Sequence, residues 1–146
     1  MKNILHTKKI NAGLAVIMLL TFAHCAVISP FSQHAYMQTT SLKVDALNVM
    51  GMAEEPYSAH KTEVATLKTN LQKQYEYERN RPKNAISTAM WEKLLDEKAL
   101  LGGFLNRWKE EGTLGKYYIE EEKKLVAEAF DKIAGLESKK IKSSAQ

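Results

Sequence analysis

Few residues in this chain of 146 have the type and spacing to do chemistry, and each group carries a specific shortfall. His60 and Glu63 stand three apart and could share a helix face as metal ligands, but no second histidine sits at helical spacing to complete a set. Glu120, Glu121 and Glu122 are adjacent, which spreads the carboxylates around a helix; general acid–base work needs them converging on one atom. A nucleophile would need a base and an orienter, and neither the histidines nor the local patterns supply them. Cys25 is the only cysteine, which excludes an intramolecular disulfide and a C-x-x-C-H haem attachment. The paired Glu-x-x-His sequences of a di-metal helical bundle are absent. No cofactor is implied, and the chain reads as a non-enzyme.

Two constellations remain. Tyr75, Tyr77, Arg79, Arg81 and Lys83 interleave aromatic and basic groups, and Tyr77, Arg79, Arg81 and Lys83 form the candidate surface for an anionic partner such as lipid headgroups, glycans or a nucleic-acid backbone. The competing structural explanation is a helix end, where cations complement the backbone dipole. Trp91 and Trp108 could line a small pocket, yet both fall on apolar stripes where tryptophan serves as core.

The first 28 residues carry the clearest signal. Lys2, Lys8 and Lys9 precede an apolar run from Ala12 to Ile28 that contains no acidic or basic residue, the pattern of an export segment. Three forms of export fit. Leu14 to Phe22 could be the core of a cleavable signal, although no clean A-x-A site follows. Thr21-Phe22-Ala23-His24-Cys25 has the position of a lipid-attachment site, with acylation at Cys25, but His24 and Phe22 depart from the usual residues. The run is also near the roughly 20 residues an uncleaved anchor needs. The expected location is therefore periplasmic, secreted or membrane-anchored. The segment resembles those of small exported or lipid-anchored helical bacterial proteins, and the helical body is similar to members of that group. That likeness implies a place at or beyond the membrane and brings no site residues with it.

The export segment also accounts for the basic composition. Lys2, Lys8 and Lys9 are three of the 21 basic residues, leaving 18 against 17 acidic ones. A nearly neutral body makes a nucleic-acid partner unlikely. About 110 residues beyond it suit one small domain. Without disulfides, and with few Pro and Gly for a turn-rich β design, that domain must rely on helix packing.

The elements positioning these residues read as four helical blocks between a linker at 29–40 and a disordered tail at 140–146. Ser41 is a plausible cap for a first helix ending near Glu54, with Leu42, Ala46, Val49 and Ala53 on one stripe and Pro56 suited to the first turn of the next helix. The second block runs from Tyr57 to Arg79 with Tyr57, Val64, Leu67, Leu71 and Tyr75 as its seam. A third opens with Ser87 as cap and Ile86 stapled to Trp91, and contains Leu101, Phe104, Leu105 and Trp108 as the expected heart of the core. Gly102-Gly103 implies a close approach or a kink, the block could be one helix or two, and Gly112 closes it. The fourth starts after Thr113, and its Glu120/Lys124 and Glu128/Lys132 spacings favour ion pairs. Together these predict an all-α fold, a small antiparallel three- to four-helix bundle over 41–139. The function expected of it is partner binding through a helical face, as an exported or envelope-associated interaction protein. The alternative is a small-ligand carrier or enzyme with a pocket between helices.

Overall fold

Ser32, well upstream of Ser41, starts the first helix. Its hydroxyl accepts the Ala35 amide at 3.1 Å, and α1 runs Gln33–Gly51. The computed structural model describes residues 28–143, with side chains through 140; residues 1–27 and 144–146 lie outside it. Cys25 and all but the last residue of the apolar run therefore fall outside the described residues. Most of the segment read as a linker is helix, because the buried stripe Leu42, Ala46, Val49 continues upstream as Ala35 and Thr39. Thr39 can occupy a core position because its hydroxyl donates to the Ala35 carbonyl at 2.7 Å.

Two single 3₁₀ turns, Met52–Glu54 and Tyr57–Ala59, lead to α2 (Lys61–Arg79), so Pro56 caps a 3₁₀ turn outside the helix. The third block is two helices, α3 (Ala85–Leu95) and α4 (Leu100–Glu111). Ser87 is not its cap; Asn84 precedes the helix, Ser87 is buried within it, and Ile86 is 62% exposed, so no staple to Trp91 forms. The last helix, α5, spans Lys116–Ser143 and starts three residues past Thr113. The tail read as disordered from 140 is helical through Ser143, and Lys140 is buried. On its surface Glu128 pairs with Lys132 at 2.8 Å as the spacing predicts, while Lys124 takes Glu121 and leaves Glu120 to Lys123.

The fold is an all-α bundle, with no strand among the described residues. α1 packs against α2 and α5, α3 bridges α2 and α5, and α4 closes the far side against α3 and α5. α1 and α5 are antiparallel, since Ser32 meets Glu137 while Lys43 meets Asp131. Leu101, Phe104, Leu105 and Trp108 are all buried, where the sequence places the core, and Trp91 meets Phe130 edge to face at 5.8 Å. At the end where α1 finishes, the Trp108 indole donates to the Glu55 carbonyl and the Leu114 amide to Ala53, tying the 3₁₀ turns to α4 and α5.

Gly102 is required by the α3–α4 corner. A methyl there would lie 2.4 Å from the carbonyl oxygens of both Leu95 and Asp96, which are backbone atoms that cannot swing away. Gly102→Ala is expected to lose about 1–3 kcal/mol despite alanine's better helix propensity. Gly135→Ala, within α5 and with nothing within 4 Å of the new methyl, should instead gain about 0.5–1 kcal/mol. Urea melts of the two variants test the pair, and equal shifts would show that the corner is not tight.

Candidate functional site

The residues that converge most tightly sit at the opposite end, where α1 starts, α2 ends, α3 starts and α5 ends. Glu78, Arg81, Glu137 and Lys140 form one ionic network with side chains 2%, 10%, 4% and 3% exposed. Arg81 donates to both Glu137 oxygens, at 2.9 and 3.1 Å, to Glu78 Oε2 at 3.1 Å, and to the Pro30 carbonyl. Lys140 Nζ lies 2.5 Å from Glu137 Oε2, 2.8 Å from Ser29 Oγ and 2.9 Å from Asn84 Oδ1. Asn84 donates to Glu78, and Gln74 donates to the same carboxylate from one turn upstream. Two carboxylates face two cations, so the cluster is formally neutral, as a buried ionic group must be.

The first residues of the described chain are held by this cluster. Ser29, 1% exposed, donates its amide to the Lys83 carbonyl at 3.0 Å and its hydroxyl to Asn84. The Ser32 amide donates to Glu137 at 2.6 Å, and its hydroxyl contacts the Tyr77 hydroxyl. The backbone from Ser29 to Ser32 is therefore clamped to α2, α3 and α5.

The four residues of the candidate anionic-partner surface do not form one surface. Arg81 turns inward into the clamp, with its guanidinium 5.8 Å from the Tyr77 ring. Tyr77 forms the clamp's outer edge, its ring 4.7 Å from His34. Arg79 points elsewhere, to Glu76 and the Tyr75 face. Lys83 is exposed on the turn, in a left-handed conformation with φ of 60°. His60 pairs with Glu55 and not with Glu63.

The clamp is chemically quiet. Burial alone would raise the Glu137 carboxyl pKa, but hydrogen bonds from Arg81, Lys140 and the Ser32 amide outweigh it and hold the group below the ordinary carboxylate range. A general acid needs the reverse shift. Because the folded pKa is depressed, the stabilisation is complete above the unfolded value and disappears as pH falls through the folded one. Thermal melts from about pH 5 downward should show falling stability, with a shallower acid dependence in Glu137→Gln even though that variant starts lower. Parallel acid limbs would show that Glu137 does not carry the effect.

Glu78, Asn84, Glu137, Lys140 and Ser29 escaped the sequence reading, although a signal exists. The seam Val64, Leu67, Leu71 continues at the same spacing to Gln74 and Glu78, and Val126, Phe130, Ile133 continues to Glu137 and Lys140. Polar residues in core register on two helices mark a buried network.

A second feature is the outward face of α1. Met37 and Val44, two turns apart, are 58% and 57% exposed, with Thr40, Ser41, Asn48 and Gly51 on the same side. Asp45 apart, no exposed residue of α1 is acidic, Lys or Arg, whereas α2 exposes Lys61, Glu63, Lys68, Lys73 and Arg79. No family model, curated protein or solved structure matches the chain.

Proposed function

We propose that the protein is an exported, non-enzymatic interaction protein that works at the cell envelope by offering the outward face of α1 to a partner. The observation that carries this reading is the composition of that helix. The outward side of α1 sets Met37 and Val44 among uncharged residues with Asp45 its one exposed charge, while α5, α2, α4 and the 3₁₀ turn pack against its other side. Met37 and Val44 supply the apolar centre, and Thr40, Ser41 and Asn48 the uncharged surround. Export itself rests on the basic and apolar pattern of residues 1–28.

Photocrosslinking residues placed at Met37 and Val44, and at Lys73 on the exposed side of α2, test the reading in the natural host. Adducts of one discrete mass at the two α1 positions and none at Lys73 are expected. With the crosslinker moved to exposed Ser41 between them, Met37→Lys with Val44→Lys should abolish the adduct while leaving the melting temperature nearly unchanged, since both side chains are more than half exposed. Adducts at Lys73 alone, or none at α1, would overturn it. Full-length chain recovered from the cytosol would overturn export independently.

A further inference from the structure

We infer that the clamped end of the bundle seats directly on an anionic lipid surface. The inference deepens the envelope reading in its membrane-held form. Ile28 is the last residue of the apolar run and the first described residue, and it lines a groove of about 160 Å³ with Lys83, Ala85, Ile86 and Leu136. The clamp begins at the next residue, Ser29, so no slack separates the apolar run from the bundle. Even acylation at Cys25, four residues before Ser29, would leave at most about 14 Å of chain. A membrane that holds the run, or a lipid on Cys25, therefore brings this end of the bundle against the headgroups.

The surface at that end matches such a neighbour. Ile86, 62% exposed, is the most prominent apolar side chain there, and it stands on the first turn of α3. Exposed Lys83 and Lys139 flank it, and the adjoining groove continues the apolar surface through Met90 and Leu136 before reaching Glu128 and Asp131, which are paired with Lys132 and Lys43. Residues 28–34, 80–87 and 138–140 contain no Asp or Glu, and the adjacent Glu78 and Glu137 are buried against Arg81 and Lys140. The clamp withdraws these two carboxylates together with their cations, and the side chains left exposed here, Ile86 with Lys83 and Lys139, are the pairing expected of a group resting among phosphates.

The test uses the full chain reconstituted in phosphatidylcholine vesicles with and without phosphatidylglycerol, carrying a photocrosslinker at Ile86 or, as control, at Tyr117 near the start of α5. Lipid adducts are expected at position 86 and not at 117, with more in the anionic vesicles. Lys83→Glu with Lys139→Glu should lower the adduct yield at 86 by about fivefold per lysine without releasing the chain from the vesicles. Chain that fails to stay with the vesicles overturns the membrane-held reading and the inference with it. Chain that stays but gives equal adducts at 86 and 117, or yields indifferent to phosphatidylglycerol and to the double charge reversal, overturns the inference alone.

Discussion

Arg81→Met is expected to destabilise the bundle by about 3–5 kcal/mol, because it leaves two buried carboxylates facing the single cation of Lys140. The side chain is 10% exposed and donates to Glu78, to both oxygens of Glu137 and to the Pro30 carbonyl, so methionine fills the space and satisfies none of the acceptors. Arg81→Lys should recover only part of the loss, since an ammonium cannot reproduce the two-pronged contact to Glu137. Arg79→Ala, two residues away, removes a half-exposed charge and should change stability by less than about 0.5 kcal/mol. Urea melts of the three variants decide the matter. If Arg81→Met loses less than about 1 kcal/mol, the network behaves as a solvated surface pair and the clamp is not a constraint. Amide exchange at Ser29 gives a second reading, slow in the wild type and fast in Arg81→Met.

Phe104→Ala should cost a comparable amount, about 3–5 kcal/mol, through a void and not through charge. Phe104 is 1% exposed, between Leu101, Leu105 and Trp108 on α4, with its ring stacked on Tyr118 at 6.0 Å. Neighbours on α4 are held in place by the Gly102 corner at one end and the Trp108 hydrogen bond at the other, so collapse into the space is limited. Tyr118→Ala should cost less, because that ring is only half buried and Arg107 lies across its outer face at 4.3 Å. A Phe104→Ala loss below about 1 kcal/mol in equilibrium unfolding would show that the α4 stripe is not the centre of the core.

The α4 stripe was legible because apolar residues at three-and-four spacing admit one reading. The same holds for the Val64, Leu67, Leu71 seam and for Gly112, whose φ of 82° closes α4 as a terminal glycine should. The helix starts were less legible. Ser41 and Ser32 are equally good caps in isolation, and Ser32 prevails because Ala35 and Thr39 bury against the bundle and because its amide and hydroxyl reach Glu137 and Tyr77. Ser87 failed as a cap for a similar reason: its hydroxyl lies 3.3 Å from the Lys140 ammonium, 53 positions along the chain. The clamp is half legible locally, since Glu78/Arg81 and Glu137/Lys140 each stand three apart, but nothing along the chain joins the two pairs across 56 positions. Arg81 read as part of a basic corner because proximity along the chain suggested Arg79 and Lys83 as companions, whereas its partners in space are Glu78 and Glu137.

On the membrane-held reading proposed above, the clamp would also set how far the protein could search. Had residues 29–40 been a flexible leash, the bundle would have sampled a radius of about 20 Å around its point of attachment, raising the local concentration of α1 for partners anywhere in that volume. With Ser29 to Ser32 bonded to three helices and α1 starting at Gln33, that sampling is gone. On that membrane-held reading, a partner held beside the same attachment point would meet the α1 face at one height and in one orientation. Encounter then depends on the partner's own diffusion, and binding loses none of its free energy to quieting a loose connector.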